Sequence, residues 1–209
     1  MKPSFRTGLS ALLLSSLCAL ALPAAATETP AAPATALPST SLYQLPAALS
    51  NQDGKAFKLR ELRGRPVLVS MFYNSCEFVC PMLIDTMRLT QQALDQDSRE
   101  RLSMLLITFD PARDDIKTLK TVARQRELDP ARWTLARTDA ASVRKIAATL
   151  DIQYRRLESG EYNHTTVLVL LDADGRVLGR TRTMGAVDPE FVKLVHDTIA
   201  ATPASPAAR

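Results

Sequence analysis

The sequence predicts an α/β fold with a mixed central sheet and helices on both faces, and three observations carry that prediction. Two short apolar runs, Val67–Tyr73 and Ser103–Phe109, have the length and β-rich composition of strands covered on both sides. Each is followed by a stretch of helical apolar spacing, which makes the two strands a parallel pair. Near the C-terminus, Thr165–Leu171 and Arg176–Thr181 flank Asp172-Ala173-Asp174-Gly175, a turn signal that makes them an antiparallel hairpin. The chain has 209 residues, 46% hydrophobic and 23% charged, which suits one soluble globular domain and excludes both general disorder and a polytopic membrane protein.

Residues 1–26 read as an export signal. Lys2 and Arg6 supply a positive start, Leu9–Leu22 an apolar stretch and Ala24-Ala25-Ala26 a small-residue cleavage site, so cleavage is expected after Ala26. The alternative is an inner-membrane anchor at residues 9–22, but these 14 residues rise only about 21 Å against a hydrocarbon core about 30 Å thick. Cys18 leaves with the signal, because bulky Leu17 stands where a lipoprotein signal wants a small residue. Residues 27–40 are mostly Ala, Pro, Thr and Ser, with little to bury, and read as a flexible linker. The folded domain is expected over residues 41–200, with residues 201–209 as a disordered tail.

Within that domain Asn51-Gln52-Asp53-Gly54 is a turn, and Val67–Tyr73 is the first central strand. Asn74 to Pro81 form a loop that opens a helix, with Pro81 at the first helical position and Leu83, Met87 and Leu94 along its apolar side. The strand ending at Phe109 is closed by Asp110-Pro111, and a helix from about Asp114 carries Ile116, Leu119, Val122 and Ala123 on one face. After Trp133-Thr134-Leu135, in which Trp133 is core, Asp139 caps a helix whose stripe is Val143, Ile146, Ala147 and Leu150. The hairpin follows, and Asp188-Pro189 starts a last helix carrying Phe191, Val192, Val195 and Ile199. This order of elements is the thioredoxin-like arrangement. No repeat or second domain is visible.

Charge and cysteine count bound the chemistry. Net charge is +4, from 26 basic and 22 acidic residues; without Lys2 and Arg6 it is 24 minus 22, or +2, with no basic run and 5% aromatics, so nucleic acid is not a partner. Two histidines and three cysteines exclude a zinc-finger array and a multi-disulfide scaffold. Once Cys18 is removed, an exported chain keeps only Cys76 and Cys80, four positions apart at a helix mouth, where N–H groups and the helix dipole favour thiolate. Such a pair is redox-active, able to form a disulfide, or a pair of soft metal ligands. Redox members of this fold usually space their cysteines by two residues and carry a cis-proline before the hairpin strand. Here three residues intervene, no proline lies between Pro130 and Pro189, and His164 occupies that neighbourhood. Two thiolates and an imidazole suit Cu(I), whereas zinc wants a fourth ligand. Met82 offers a thioether but reads as core filler. His196 reads as a helix-surface residue, Asp110 and Asp114 as turn and cap, and Glu77 as a solvated charge.

Cys76-x-x-x-Cys80-Pro81, Asp110-Pro111-Ala112-Arg113-Asp114, and His164 ahead of a strand ending in Asp172-Ala173-Asp174-Gly175 together resemble the SCO/SenC proteins, over roughly residues 42–200. The resemblance implies a thioredoxin-like, copper-binding protein with Cys76, Cys80 and His164 as the copper ligands. It implies copper as Cu(I), with Cu(II) as the alternative state, and delivery of copper or reducing equivalents to the binuclear copper centre of cytochrome c oxidase. Many members have Pro-Asp after the first cysteine where this chain has Glu77-Phe78, and Asp before the histidine where it has Asn163; the first change alters the surface a partner would meet. The expectation is a monomeric periplasmic metallochaperone, without stable membrane insertion, serving subunit II of the oxidase or another copper enzyme. The alternative is a thiol-disulfide oxidoreductase acting on an exported partner. A peroxiredoxin ranks third, since its reactive cysteine needs no partner four residues on.

Overall fold

Strand β3 (Val67–Phe72) is buried at every position, which requires cover on both faces of the sheet as well as pairing along both edges. In the computed structural model, which describes residues 36–76 and 79–203, that condition is met. The remaining strands are β1 (Ala48–Asn51), β2 (Ala56–Lys58), β4 (Ser103–Thr108), β5 (Trp133–Arg137), β6 (Tyr154–Arg156), β7 (Tyr162–His164), β8 (Leu168–Leu171) and β9 (Val177–Thr181). Seven of the nine form one sheet in the order β2-β1-β5-β4-β3-β8-β9, and β6 and β7 pair separately. Strands β3, β4 and β5 are parallel, with Val67 opposite Ser103 and Leu106 opposite Leu135, while β8 joins the other edge of β3 antiparallel, Leu171 opposite Val67. The sheet is therefore mixed.

The helices are α1 (Val79–Gln92), α2 (Gln96–Arg101), α3 (Ile116–Gln125), α4 (Ala140–Leu150) and α5 (Pro189–Ala201). Their starts are chemically marked. Asp139 accepts the N–H groups of Ala141 and Ser142, Asp188 accepts that of Phe191 with Pro189 as the first residue of α5, and Asp95 caps α2. The stripe Val143, Ile146, Ala147 and Leu150 is buried on α4, and Phe191, Val195 and Ile199 are buried on α5. Trp133 lies in the core, its carbonyl accepting from Gln52.

Several boundaries differ from those read in the sequence, each for a local reason. Helix α3 begins at Ile116 and is capped by Asp115, because the Asp114 carboxylate turns inward to Thr108 and the Asn74 N–H. Pro81 is the third residue of α1; the first turn of a helix has unpaired N–H groups anyway, so a proline is accommodated there. Residues Thr165–Val167 connect β7 to β8 and do not extend the hairpin strand. Leu37, in the stretch read as linker, packs against the core, and α5 reaches Ala201. The export signal, linker residues 27–35, Glu77, Phe78 and residues 204–209 lie outside the described residues.

Two predictions follow from the capping and turn geometry. The Asp139 carboxyl is held at about 2, chiefly by the Ser142 hydroxyl and N–H, below its ordinary value of 3.8. A carboxylate depressed in the folded state stabilises above its unfolded value and loses that contribution as pH falls through its folded one. Asp139→Ala should therefore lower the melting temperature at pH 7, with the difference from the parent closing between about pH 4 and pH 2. Gly175, at φ +80°, lies against the fully buried Tyr43 ring, and a Cβ there would come within 2.6 Å of it. Gly175→Ala should cost about 2–5 kcal/mol in urea denaturation, combining left-handed backbone strain with overpacking.

Candidate metal centre

Both cysteines are placed by the end of β3. The chain leaves the strand at Tyr73, turns so that the Cys76 N–H reaches the Tyr73 carbonyl, and enters α1 at Val79. Cys80 follows in the first turn of that helix, and its backbone N–H donates to Cys76 Sγ at 3.2 Å. The two sulfurs are thus held differently. Cys76 receives a helix N-terminal N–H. Cys80 is buried, and loss of solvent pushes its thiol well above the ordinary range. At Cys80 burial opposes the thiolate.

His164 comes from a separate two-stranded element. It ends β7, opposite Tyr154 in the small β6–β7 hairpin. Its ring packs against Phe109 at 4.9 Å between centroids and edge-on to Tyr73 at 5.8 Å. Burial holds the imidazole below its ordinary protonation range, so it is a neutral donor. Nδ1 lies 3.3 Å from the Thr165 carbonyl, which assigns the proton to Nδ1 and leaves the Nε2 lone pair for a ligand. The ligand atoms of Cys76, Cys80 and His164 all lie within 4.8 Å of one another. Among the described residues no other group of three or more His, Cys, Asp or Glu converges in this way.

A polar bracket holds the hairpin over the cysteines. Arg113 pairs with buried Asp110 and donates at 2.7 Å to the Gly160 carbonyl at the tip of the hairpin. Glu161 accepts the Tyr73 hydroxyl at 2.8 Å. Asp114, also buried, accepts the Asn74 N–H just before the cysteines, and burial raises its carboxyl above the ordinary range while the Thr108 and Asn74 bonds oppose that rise. The segment Asp110–Asp114 thus touches both the cysteine loop and the histidine hairpin. The sequence reads Asp110 and Asp114 as a turn and a cap and Arg113 only as part of the Asp110–Asp114 motif, and it gives Tyr73 and Glu161 no role at the site. An Asp and an Arg three apart beside a strand end was the available signal.

The other candidates stand apart. Met82 is 39% exposed on α1 beside Gly185, so it fills no core position. His196 is exposed next to Asp95 and Asp197 on the surface.

Fold and site together define a class: a thioredoxin-like domain in which two cysteines and a distant histidine form one donor cluster. Within that class the chain belongs to the SCO1/SenC family, whose model matches residues 37–196. A protein of Stutzerimonas stutzeri whose name describes it as copper-binding is 36% identical over 73 residues. That match covers 35% of this chain and spans only about a third, 36%, of the relative's length. The structure of Bradyrhizobium japonicum ScoI with copper bound superposes with a TM-score of 0.62 at 24% identity, covering 74% of this chain and 98% of that one. BsSco, described as carrying a disulfide switch and as a member of the Sco family of cytochrome c oxidase assembly proteins, superposes with a TM-score of 0.64 at 22% identity, covering 78% and 95%.

The bracket gives a test. Arg113→Ala leaves the Asp110 carboxylate buried without its partner and frees the Gly160 carbonyl. Stability should fall by about 1–3 kcal/mol, and amide hydrogen exchange should rise at residues 157–164 more than along β3 and β4. Uniform acceleration across the sheet would show that Arg113 contributes only to global stability.

Proposed function

We propose that this protein is an exported copper chaperone that binds Cu(I) through Cys76, Cys80 and His164. Its recipient is a copper enzyme, foremost the binuclear copper centre of cytochrome c oxidase. The observation that carries this reading is the convergence of two sulfurs and a neutral imidazole nitrogen within 4.8 Å of one another. Soft sulfur donors with one imidazole select Cu(I), which is content with three ligands. Zinc would ask for a fourth donor, and the buried carboxylate nearest the cysteine loop, Asp114, is already engaged by Thr108 and Asn74. Binding Cu(I) displaces protons from the thiols, so affinity rises with pH. The copper-bound ScoI structure and the family membership support the same reading. In this proposal the mature protein starts at Thr27 and works in the periplasm as a monomer. Among the described residues no helix is long and apolar enough to cross a membrane.

One observation favours a second reading, thiol-disulfide exchange. Cys76 and Cys80 are both free, and their sulfurs are near enough that a small movement joins them. The two functions separate at His164, because disulfide exchange needs only the sulfurs.

The test is Cu(I) loading of reduced protein under anaerobic conditions, with competition against a Cu(I) chelator. The parent should hold Cu(I), and either Cys→Ser change should abolish binding. His164→Ala should weaken Cu(I) by more than the roughly 10- to 100-fold typical of losing a group that only supports a ligand. The same variant should still form its disulfide in air, counted as loss of free thiols. Chelator competition that finds His164→Ala equal to the parent would discard the imidazole as a ligand and leave the oxidoreductase reading.

A further inference from the structure

His164 has a second side. Away from the sulfurs it forms part of the wall of an open groove of about 640 Å³ between α4 and the β6–β7 hairpin. Buried Ala147 and Ile152 and half-buried Tyr154 give this groove an apolar floor. Its charge is one-sided. Arg144 on α4 and Arg155 on β6 line it, both exposed, and no Asp or Glu is among the lining residues.

Three other arginines are engaged by carboxylates: Arg113 by Asp110, Arg126 by Asp85 and Arg176 by Asp172. Arg144 and Arg155 have no hydrogen bond or ion pair among the described residues. Two cations from different elements over an apolar floor match a ligand that is anionic and extended. A small anion would instead need an enclosed cradle that buries most of its surface. The groove is open, and both guanidiniums are exposed. Of the three candidate copper ligands His164 is the most exposed and the one that lines this groove, whereas Cys76 and Cys80 line a separate pocket with Gln125 and Arg126.

We propose that this groove is the docking site of the copper acceptor, which seats an acidic segment between Arg144 and Arg155 beside His164. The proposal rests on the copper-delivery reading and adds the partner's chemistry to it. Opposite charges at such a rim act mainly on the association rate and its salt dependence.

The test compares the parent with Arg144→Glu/Arg155→Glu. Neither residue touches Cys76 or Cys80, so chelator competition should give the two proteins the same Cu(I) affinity. Transfer of Cu(I) to the metal-free soluble domain of oxidase subunit II, followed by stopped flow, should be about 10-fold slower in the variant and lose most of its dependence on ionic strength. Arg144→Lys/Arg155→Lys should keep most of the parent's rate. Equal transfer rates with the same salt dependence in parent and charge-reversed protein, at equal Cu(I) affinity, would overturn the docking site while leaving copper delivery standing. A parent that holds no Cu(I) would instead overturn the delivery reading, and the docking proposal with it. Vesicles of phosphatidylglycerol that bind the parent but not the charge-reversed protein, without any change in transfer, would assign the groove to the membrane surface and also overturn it.

Discussion

Strand β3 is hydrogen-bonded to β4 along one edge and β8 along the other and buried at every residue, so the direction in which the chain leaves it is fixed by the sheet. Tyr73 is the first residue beyond it, and three parts of the site meet there. Its carbonyl accepts the Cys76 N–H, its ring packs against Phe109 and His164, and its hydroxyl donates to Glu161 on the histidine hairpin. Apolar burial fixes the frame to the accuracy of a packed core. The polar contacts of one residue then carry that accuracy across to a hairpin of three-residue strands.

That hairpin needs outside support. A two-stranded pair of this length is at best marginally stable alone in water. The Asp110–Arg113 pair, the Gly160 carbonyl, the Tyr73 hydroxyl and a cluster of four aromatic rings hold it instead. The three donors are consequently secured by three unlike means. Cys76 is held by a turn and a helix N–H, Cys80 by burial in the first turn of α1, and His164 by a hairpin tied down from its tip. Movement of the hairpin would take the imidazole away while leaving both sulfurs in place.

Much of the fold was legible because its elements obey strong periodicities. Val67–Phe72 and Ser103–Thr108 are continuous apolar runs, and the α4 and α5 stripes repeat at helical spacing behind an aspartate cap. The parts that escaped are those with no period to read. Strands β6 and β7, Tyr154–Arg156 and Tyr162–His164, are short, polar and stabilised by distant residues, so nothing local announces them. Helix α2 has the composition Gln-Asp-Ser-Arg-Glu-Arg, with only Ser98 buried. The cysteine spacing and the presence of a distant histidine were visible in the sequence. Their meeting depends on β8 pairing antiparallel with β3, and the bracket depends on a loop that reads as an ordinary turn.

The bracket is chemically expensive, which bears on what it does. Asp110 and Asp114 are both 3% exposed, and burying a carboxylate costs free energy unless its oxygens are hydrogen-bonded. Here each is satisfied, Asp110 by Arg113 and Asp114 by Asn74 and Thr108, so the residual cost is modest but an apolar turn would avoid it altogether. Apolar contacts are non-directional and would let the hairpin slide over the cysteine helix. Directional bonds to a single carbonyl and a single N–H do not. The positions joined in this way are the Asn74 N–H, two residues before Cys76, and the Gly160 carbonyl, at the tip of the hairpin that carries His164. Besides adding to the stability of the domain, the buried charge ties those two points together through directional bonds.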